Sequence, residues 1–162
     1  MMSVAVATEV ATRLVMATLI GSGVGLDREL RHKPAGLKTH ALVALGAALV
    51  TATTASLTNV DNPNIDSMAR VIQGIIAGVG FLGGGAILKS NDEMVRGLTT
   101  AASIWLVASL GIACGAGEFG VALIALAIAL VVLVFGNQIE RRMRRPSTAT
   151  SAPLRPSDSD PE

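Results

Sequence analysis

FGVALIALAIALVVLVFG, residues Phe119–Gly136, is the most apolar stretch of the chain and contains no charged side chain. A helix needs about 20 predominantly apolar residues to cross the hydrocarbon core of a bilayer, because each residue advances it by only about 1.5 Å. The stretch has this length and this composition. It therefore predicts a transmembrane helix near the C-terminal end of the sequence.

Four further stretches have a similar length and apolar character, so the chain is predicted to cross the membrane several times. Only 15% of the 162 residues are charged, whereas soluble domains average about 25%. The first stretch includes Glu9 and Arg13, which are four residues apart and can pair on one helix face. The sequence predicts an all-α polytopic membrane protein with about five transmembrane helices. The four further spans are Val4–Leu26, Thr39–Thr58, Met68–Leu88 and Leu98–Gly115.

The placement of Lys and Arg predicts the orientation of these spans. Basic residues concentrate in the first and third loops and after the fifth span, whereas the loops at 59–67 and 116–118 contain none. The remaining two of the 13 basic residues, Arg13 and Arg70, lie inside predicted spans. Because cytoplasmic loops carry an excess of Lys and Arg, the N-terminus is predicted outside and the C-terminus inside.

The chain divides into a transmembrane domain, residues 1–140, and a short C-terminal segment, residues 141–162. The run RRMRR at 141–145 is predicted to anchor the last helix against anionic headgroups. The Ser-, Pro- and Asp-rich remainder is predicted to be disordered. The lipid bilayer is therefore the expected surrounding. The net charge of +1 gives the protein no general attraction to nucleic acid.

Glycine dominates the third span, whose sequence from Gly74 to Leu88 is GIIAGVGFLGGGAIL. Small residues four apart let membrane helices approach closely, so these glycines are candidate helix-packing positions and favour a tight bundle or a homodimer. The alternative is a helix break at the triple glycine that lines an ion site. A nucleotide-binding loop would need a preceding strand, which is not predicted here. The packing candidates are Gly74, Gly78, Gly80, Gly83, Gly84 and Gly85; Gly21/Gly25 and Gly111/Gly115 have the same spacing.

Polar residues inside two spans are candidate functional residues, because ionisable groups at membrane depth are costly. Arg70 is predicted either to reach the outer interface and meet Asp66, or to point inward towards Glu9. Gln73 follows one turn later. In the fourth span, Thr99 and Ser103 are predicted to share a face. The indole of Trp105 is expected to need a buried partner, and Thr100 completes the candidates of this span.

The first loop combines charges of both signs with two histidines. Its i,i+4 spacing predicts the ion pairs Asp27/Arg31 and Glu29/Lys33 on a short helical extension. Asp92 and Glu93 of the third loop are candidate partners for Arg28 or Lys33. Pro34 is expected to stop the extension, Gly36 to permit a turn, and Thr39 to cap the second span. His32 and His40, without a nearby cysteine, make a weak metal pair. The candidates of this loop are Asp27, Arg28, Glu29, Lys33 and His40.

No catalytic or metal-binding set is visible in the sequence. Both histidines lie in or beside one loop, and the single Cys114 excludes an internal disulfide. No Asp or Glu lies in the interior of spans two to five. Because Mg²⁺ favours carboxylate oxygens, a midplane carboxylate cage for this ion is not available in those spans. We therefore expect neither an enzyme nor a resident cofactor or metal.

Three ordered motifs resemble the MgtC/SapB family of bacterial inner-membrane proteins: residues 23–49, 70–88 and 95–117. The resemblance covers about residues 10–136 and implies five spans. Position 27 is Asp where the family motif often has Glu. Many members also carry a C-terminal cytoplasmic domain, where this sequence has a short polar tail. Besides the glycines of the third span, the matching positions include Asp27, Arg28, Glu29, Lys33, Ala35, Gly36, Thr39, His40, Arg70, Phe81, Leu82, Gly97, Thr99, Thr100 and Trp105.

The resemblance also implies a role. It implies a bacterial inner (plasma) membrane location, a link to growth in low magnesium and, in pathogens, survival inside macrophages. The family was first associated with Mg²⁺ transport, and later with regulation of membrane energetics through contact with the F-type ATP synthase. The leading hypothesis is therefore a non-enzymatic regulator that acts through helix contacts. The competing hypothesis is an ion transporter or channel built on Arg70, Gln73 and a break at Gly83–Gly85.

Overall fold

A computed structural model describes residues 3–57, 65–87 and 96–143, with the side chains of the last range described to Gly136. Within these ranges the regular structure is entirely α-helical. All five helices are long and apolar enough to cross a membrane, which confirms the predicted all-α polytopic fold. The helices are α1 (Val4–Leu30), α2 (Leu37–Leu57), α3 (Ile65–Ala86), α4 (Leu98–Ala116) and α5 (Phe119–Met143).

The first helix begins at a Ser3 cap, whose hydroxyl accepts a hydrogen bond from Val6 N at 3.3 Å. It continues beyond the predicted end of the span to Leu30. The extension carries the predicted ion pair, in which Arg31 Nε donates to Asp27 Oδ1 at 2.7 Å. The charged motif is therefore part of α1.

The turn between α1 and α2 differs from the prediction in three respects. The left-handed residues are His32 and Ala35, not Gly36. Gly36 instead leaves room for the Glu29 carboxylate, which a Cβ at this position would displace. Glu29 does not pair with Lys33; its Oε2 accepts a hydrogen bond from Leu37 N at 3.0 Å. The cap of α2 is therefore this carboxylate of α1 and not Thr39, because the free N–H groups at a helix N-terminus stabilise a negative charge.

Close glycine contacts pack α2 against both α1 and α4. A Cβ on Gly21 would lie 2.7 Å from His40 O of α2, and one on Gly115 would lie 2.6 Å from Ala48 O. Gly25 and Gly111 approach α2 as closely. The predicted GxxxG packing is thus confirmed for these two glycine pairs. Buried small and branched residues of α1, α2 and α4 form the core, with Ala44, Ala48, Val24 and Val107 at its centre.

The third and fifth helices lie at the periphery. One side of α3 packs on α2 and α4 through Val79 and Ile75, against Ile104 and Ala108. The α-helix continues through Gly83–Gly85 to Ala86. The alternative of a helix break at the triple glycine is therefore wrong. The low helix propensity of glycine does not interrupt the helical hydrogen bonds there.

Candidate functional site

Four buried polar side chains meet at the end of the bundle where α1 finishes and α2 and α4 begin. We call Arg28, His40, Thr100 and Ser103 the polar cluster; their side chains are at most 3% exposed. Arg28 comes from the last turn of α1, His40 from the first turn of α2, and the two hydroxyls from the first turns of α4. The cluster joins the three helices that form the core.

Arg28 lies in the cluster without an ion pair to any described residue. Its Nη2 donates a hydrogen bond to Thr100 Oγ1, and its Nε is buried with no hydrogen-bond partner. The carboxylates next to it are used elsewhere, since Asp27 binds Arg31 and Glu29 caps α2. The second oxygen of Asp27, Oδ2, is also buried without a partner. Buried charges are normally paired, so this arrangement is unusual.

His40 connects α2 to α4 through one ring nitrogen, Nε2, and bonds to the turn before α2 through the other. Nδ1 lies 2.9 Å from Gly36 O; because a carbonyl oxygen only accepts, this nitrogen carries a proton. Nε2 lies 3.0 Å from Ser103 Oγ, which is 2.8 Å from Thr100 O. The single hydroxyl proton of Ser103 can go to either neighbour.

The contact between Ser103 and His40 has the distance of a nucleophile and its general base. No local sequence pattern indicates this contact, because the two residues are 63 positions apart. A nucleophile must reach a substrate, however, and here both side chains are almost completely buried in the helix interface. The contact serves to hold α2 against α4.

Three candidates on and near the cluster lie differently from their predicted positions. Thr99 is exposed and does not share the buried face of Ser103; Thr100 takes that place. Trp105 is 49% exposed, so its indole faces the surroundings of the bundle and not a buried partner. Lys33 is exposed beyond the end of α1. The buried positions of α4 recur at 100, 103, 104 and 107, a helical period that could have distinguished Thr100 from Thr99.

A second feature is the exposed side of α3, which packs against nothing in the described chain. We define this open face by Arg70, Gln73, Gly74, Gly78 and Phe81. Arg70 and Gln73 are exposed, and Phe81 is 86% exposed. A Cβ on Gly74 or Gly78 would meet nothing within 4 Å. The same holds for Gly80, Gly84 and Gly85.

The prediction that the α3 glycines pack within the bundle is therefore wrong for five of the six candidates. Gly83 alone faces a neighbour, with Ala101 Cβ 3.6 Å from the position of an added Cβ. The difference arises because α3 uses the opposite side, at Ile75 and Val79, for its contact with α4. Packing of the open face against another copy or another protein stays a prediction.

Neither ion pair predicted for Arg70 is present among the described residues. Glu9 pairs instead with Arg13 on its own helix, as the spacing predicts. Helices α1 and α3 do not pack on each other, so Glu9 is out of reach. Arg70 also makes no ion pair with Asp66. The hypothesis that Arg70 supports the bundle is therefore wrong for this chain alone.

Arg13 has a structural role at the opposite end of the bundle. Its Nη1 donates a hydrogen bond to Gly115 O near the C-terminal end of α4, at 2.8 Å. Among the residues that the structure describes, no three His, Cys, Asp or Glu side chains group together as a metal site. The predicted contacts of Asp92 and Glu93, the basic anchor and the polar tail lie outside the described residues or side chains.

Comparison with known proteins gives a consistent family. The MgtC family profile matches residues 14–142. An uncharacterized protein of Haemophilus influenzae is 37% identical over 141 residues, covering 84% of this chain and 59% of that protein. The "Putative magnesium transporter YhiD" of Escherichia coli K12 is 34% identical, with coverages of 83% and 64%. Protein MgtC of Salmonella typhimurium LT2 is 39% identical, with coverages of 82% and 54%.

The chain therefore spans less than two thirds of the length of these three relatives. No solved structure matches it.

Proposed function

Because the chain belongs to the MgtC family, we propose that it is a multi-pass protein of the bacterial inner membrane that supports adaptation to low magnesium by regulating a partner membrane protein. In this proposal the N-terminus lies outside and the basic first loop lies in the cytoplasm. The magnesium link rests on the family and on the name of the E. coli relative. The regulatory role rests on the open face of α3.

The open face is the observation that carries the proposal. Its glycines leave room for another helix to approach the backbone of α3 closely. Close van der Waals packing of this kind is one of the forces that hold helices together in lipid. Arg70 and Gln73 stand on the same helix without a partner among the described residues. Polar groups facing hydrocarbon are costly, so a partner that hydrogen-bonds them gains stability as well as contact area.

The position of Arg70 also favours one kind of partner. A two-fold dimer through parallel α3 helices would place the two Arg70 side chains at the same depth, where like charges repel. A different protein with a carboxylate at that depth has no such penalty. The F-type ATP synthase, which the family resemblance implies, is our first candidate, and a second copy of this chain is the alternative.

A substitution pair tests the proposal. Gly78 on the open face and Gly46 on α2 are both helical, exposed and without a neighbour within 4 Å of an added Cβ. Leucine therefore fits at either position in the isolated chain. We expect Gly78→Leu to abolish complementation of a strain that lacks its MgtC protein, during growth in low magnesium. Gly46→Leu should complement normally at the same protein level. Normal growth with both variants would contradict a partner on this face.

Ion transport is the second candidate, favoured by the name of the E. coli relative and by the polar Arg70 and Gln73. Flux of Mg²⁺, K⁺ and H⁺ into proteoliposomes separates the two functions. The regulator predicts no saturable flux from a folded preparation. Saturable flux that is lost in Arg70→Ala would establish the transporter instead. The continuous helix through Gly83–Gly85 removes the unwound segment on which that hypothesis depended.

A further inference from the structure

The guanidinium of Arg28 is a buried positive group that makes no ion pair with any described residue. The residue is 1% exposed, and its Nε has no hydrogen-bond partner. Asp27 uses Oδ1 for Arg31, and Glu29 uses Oε2 for the N-terminus of α2. Because a buried charge is strongly destabilising unless it is paired, the cluster has the composition of a site for an anion.

A second positive feature converges on the same point. The N-cap of α4 is Gly97, which has no side chain with which to cap the helix. Its first turn contains no acidic residue, unlike α2, whose N-terminus binds Glu29. A helix N-terminus carries a partial positive charge and free N–H groups that suit an oxyanion. Thr100 lies in this first turn and is the residue to which Arg28 donates.

The depth of the site is that of a phosphate layer. Helix α1 has 27 residues, a length of about 40 Å at about 1.5 Å per residue. A bilayer is about 40–45 Å thick with its headgroups, around a hydrocarbon core of about 30 Å. Arg28, in the last turn of α1, therefore lies at the level of the headgroups when this helix spans the membrane. Exposed Lys38 and Arg96 lie on the same end of the bundle.

We propose that Arg28 and the N-terminal turn of α4 form a binding site for a phosphate oxyanion, supplied either by an anionic phospholipid headgroup or by free phosphate. The planar guanidinium offers Nε and a terminal nitrogen side by side, the geometry that binds two phosphate oxygens. The N–H groups of Leu98 and Thr99 supply further donors. This site lies on α1 and α4, so it is independent of the open face of α3.

A built-in anion is the sharpest test of the site. Thr99→Glu places a carboxylate in the first turn of α4, where it competes with any bound phosphate for the same donors. Thr39→Glu is the matched control: it makes the same charge change in the first turn of α2, which Glu29 already caps. Both threonines are exposed, so both variants should fold.

The measurement uses the purified full-length protein and two probes. Inorganic phosphate is titrated while the thermal unfolding midpoint is followed. Retention of phosphatidylglycerol and phosphatidylcholine is counted by native mass spectrometry. We expect the wild type to respond to one probe, and Thr99→Glu to weaken that binding at least tenfold. Arg28→Gln should do the same, whereas Thr39→Glu should change it less than twofold.

Each outcome has a definite meaning. Phosphate stabilisation without selective lipid retention identifies the free ion, and selective retention of phosphatidylglycerol without phosphate stabilisation identifies the headgroup. The proposal is overturned when the wild type binds neither probe. It is equally overturned when Thr99→Glu and Thr39→Glu weaken binding to the same extent, because surface charge alone would then explain the result.

Discussion

At the scale of single residues, the polar cluster shows how a small set of hydrogen bonds fixes three helices in one arrangement. Arg28 of α1 donates a hydrogen bond to Thr100 of α4, and His40 of α2 is hydrogen-bonded to Ser103 of α4. Each bond crosses between helices inside a largely apolar contact, where an unsatisfied polar group is costly. The cluster therefore specifies the relative position of the helices more strongly than the surrounding alanines and valines do.

Loss of the Thr100 hydroxyl should leave the buried guanidinium with one fewer partner. We expect Thr100→Val to lower the free energy of unfolding by about 1–3 kcal/mol, the usual cost of a buried polar group left unpaired. Thr99→Val, one position away but exposed, should change it by less than about 0.5 kcal/mol. Denaturant titration of the two purified variants measures the difference. Equal stabilities would show that the bond to Arg28 contributes nothing.

The link between α2 and α4 can be tested with two serines of α4. Ser103→Ala removes the partner of His40 Nε2 and should lower the free energy of unfolding by about 1 kcal/mol or more. Ser109 donates only to Trp105 O of its own helix, at 3.2 Å, so Ser109→Ala should be nearly neutral. Thermal unfolding of both variants in the same detergent provides the comparison. A larger loss for Ser109→Ala would contradict the assigned role of Ser103.

At the scale of the helices, glycines with the same sequence spacing have opposite environments. Gly111 faces the backbone of α2, where a Cβ would overlap Ala44 O, whereas Gly74 of α3 faces no neighbour. Both belong to GxxxG pairs. Sequence spacing therefore identifies helices that can approach closely, and the structure shows which of them do so within this chain.

The contrast leads to a prediction for alanine. Gly111→Ala should force α2 and α4 apart and reduce the amount of folded protein severalfold. Gly74→Ala should leave the fold intact, since alanine favours a helix over glycine by about 1 kcal/mol. The monodisperse peak in size-exclusion chromatography, at equal expression, reports the folded amount. A folded Gly111→Ala with wild-type yield would contradict the close approach.

Helix number and type could be predicted from the sequence, because hydrocarbon thickness sets the length of each apolar run. The helix ends were harder to predict. The first helix continues past Leu26 because Asp27 and Arg31 pair along it, and α2 starts at Leu37 because a carboxylate from another helix caps it. The partners of Arg28 and His40 depend on which helices lie side by side. That arrangement is set by tertiary packing, which local sequence patterns do not contain.

At the scale of the whole molecule, α1, α2 and α4 form a packed core, and α3 and α5 cover only part of it. This core stabilises the bundle without any contribution from the open face of α3. The polar and small residues of that face pack against nothing in the described chain. The orientation in the membrane decides which features a cytoplasmic partner or ligand can reach. It stays a prediction from the placement of Lys and Arg.

Labelling of single cysteines tests that orientation. In a Cys114→Ala background, Asp66→Cys should react with a membrane-impermeant maleimide on intact spheroplasts, because this end of α3 is predicted outside. Lys38→Cys should react only after the membrane is opened. Both positions are exposed, so access to the reagent depends on the side of the membrane. The reverse labelling pattern would invert the topology and place the polar cluster on the outer side.

The central claim, that α3 binds a partner protein through its open face, is tested most directly by photo-crosslinking in living cells. A photoreactive amino acid replaces Gln73 or Phe81 on the open face, and Gly46 on α2 as the control. The account predicts that positions 73 and 81 give an adduct with the same protein, that Gly78→Leu removes it, and that position 46 gives none. Adducts absent from both α3 positions, or equally strong at position 46, would contradict it.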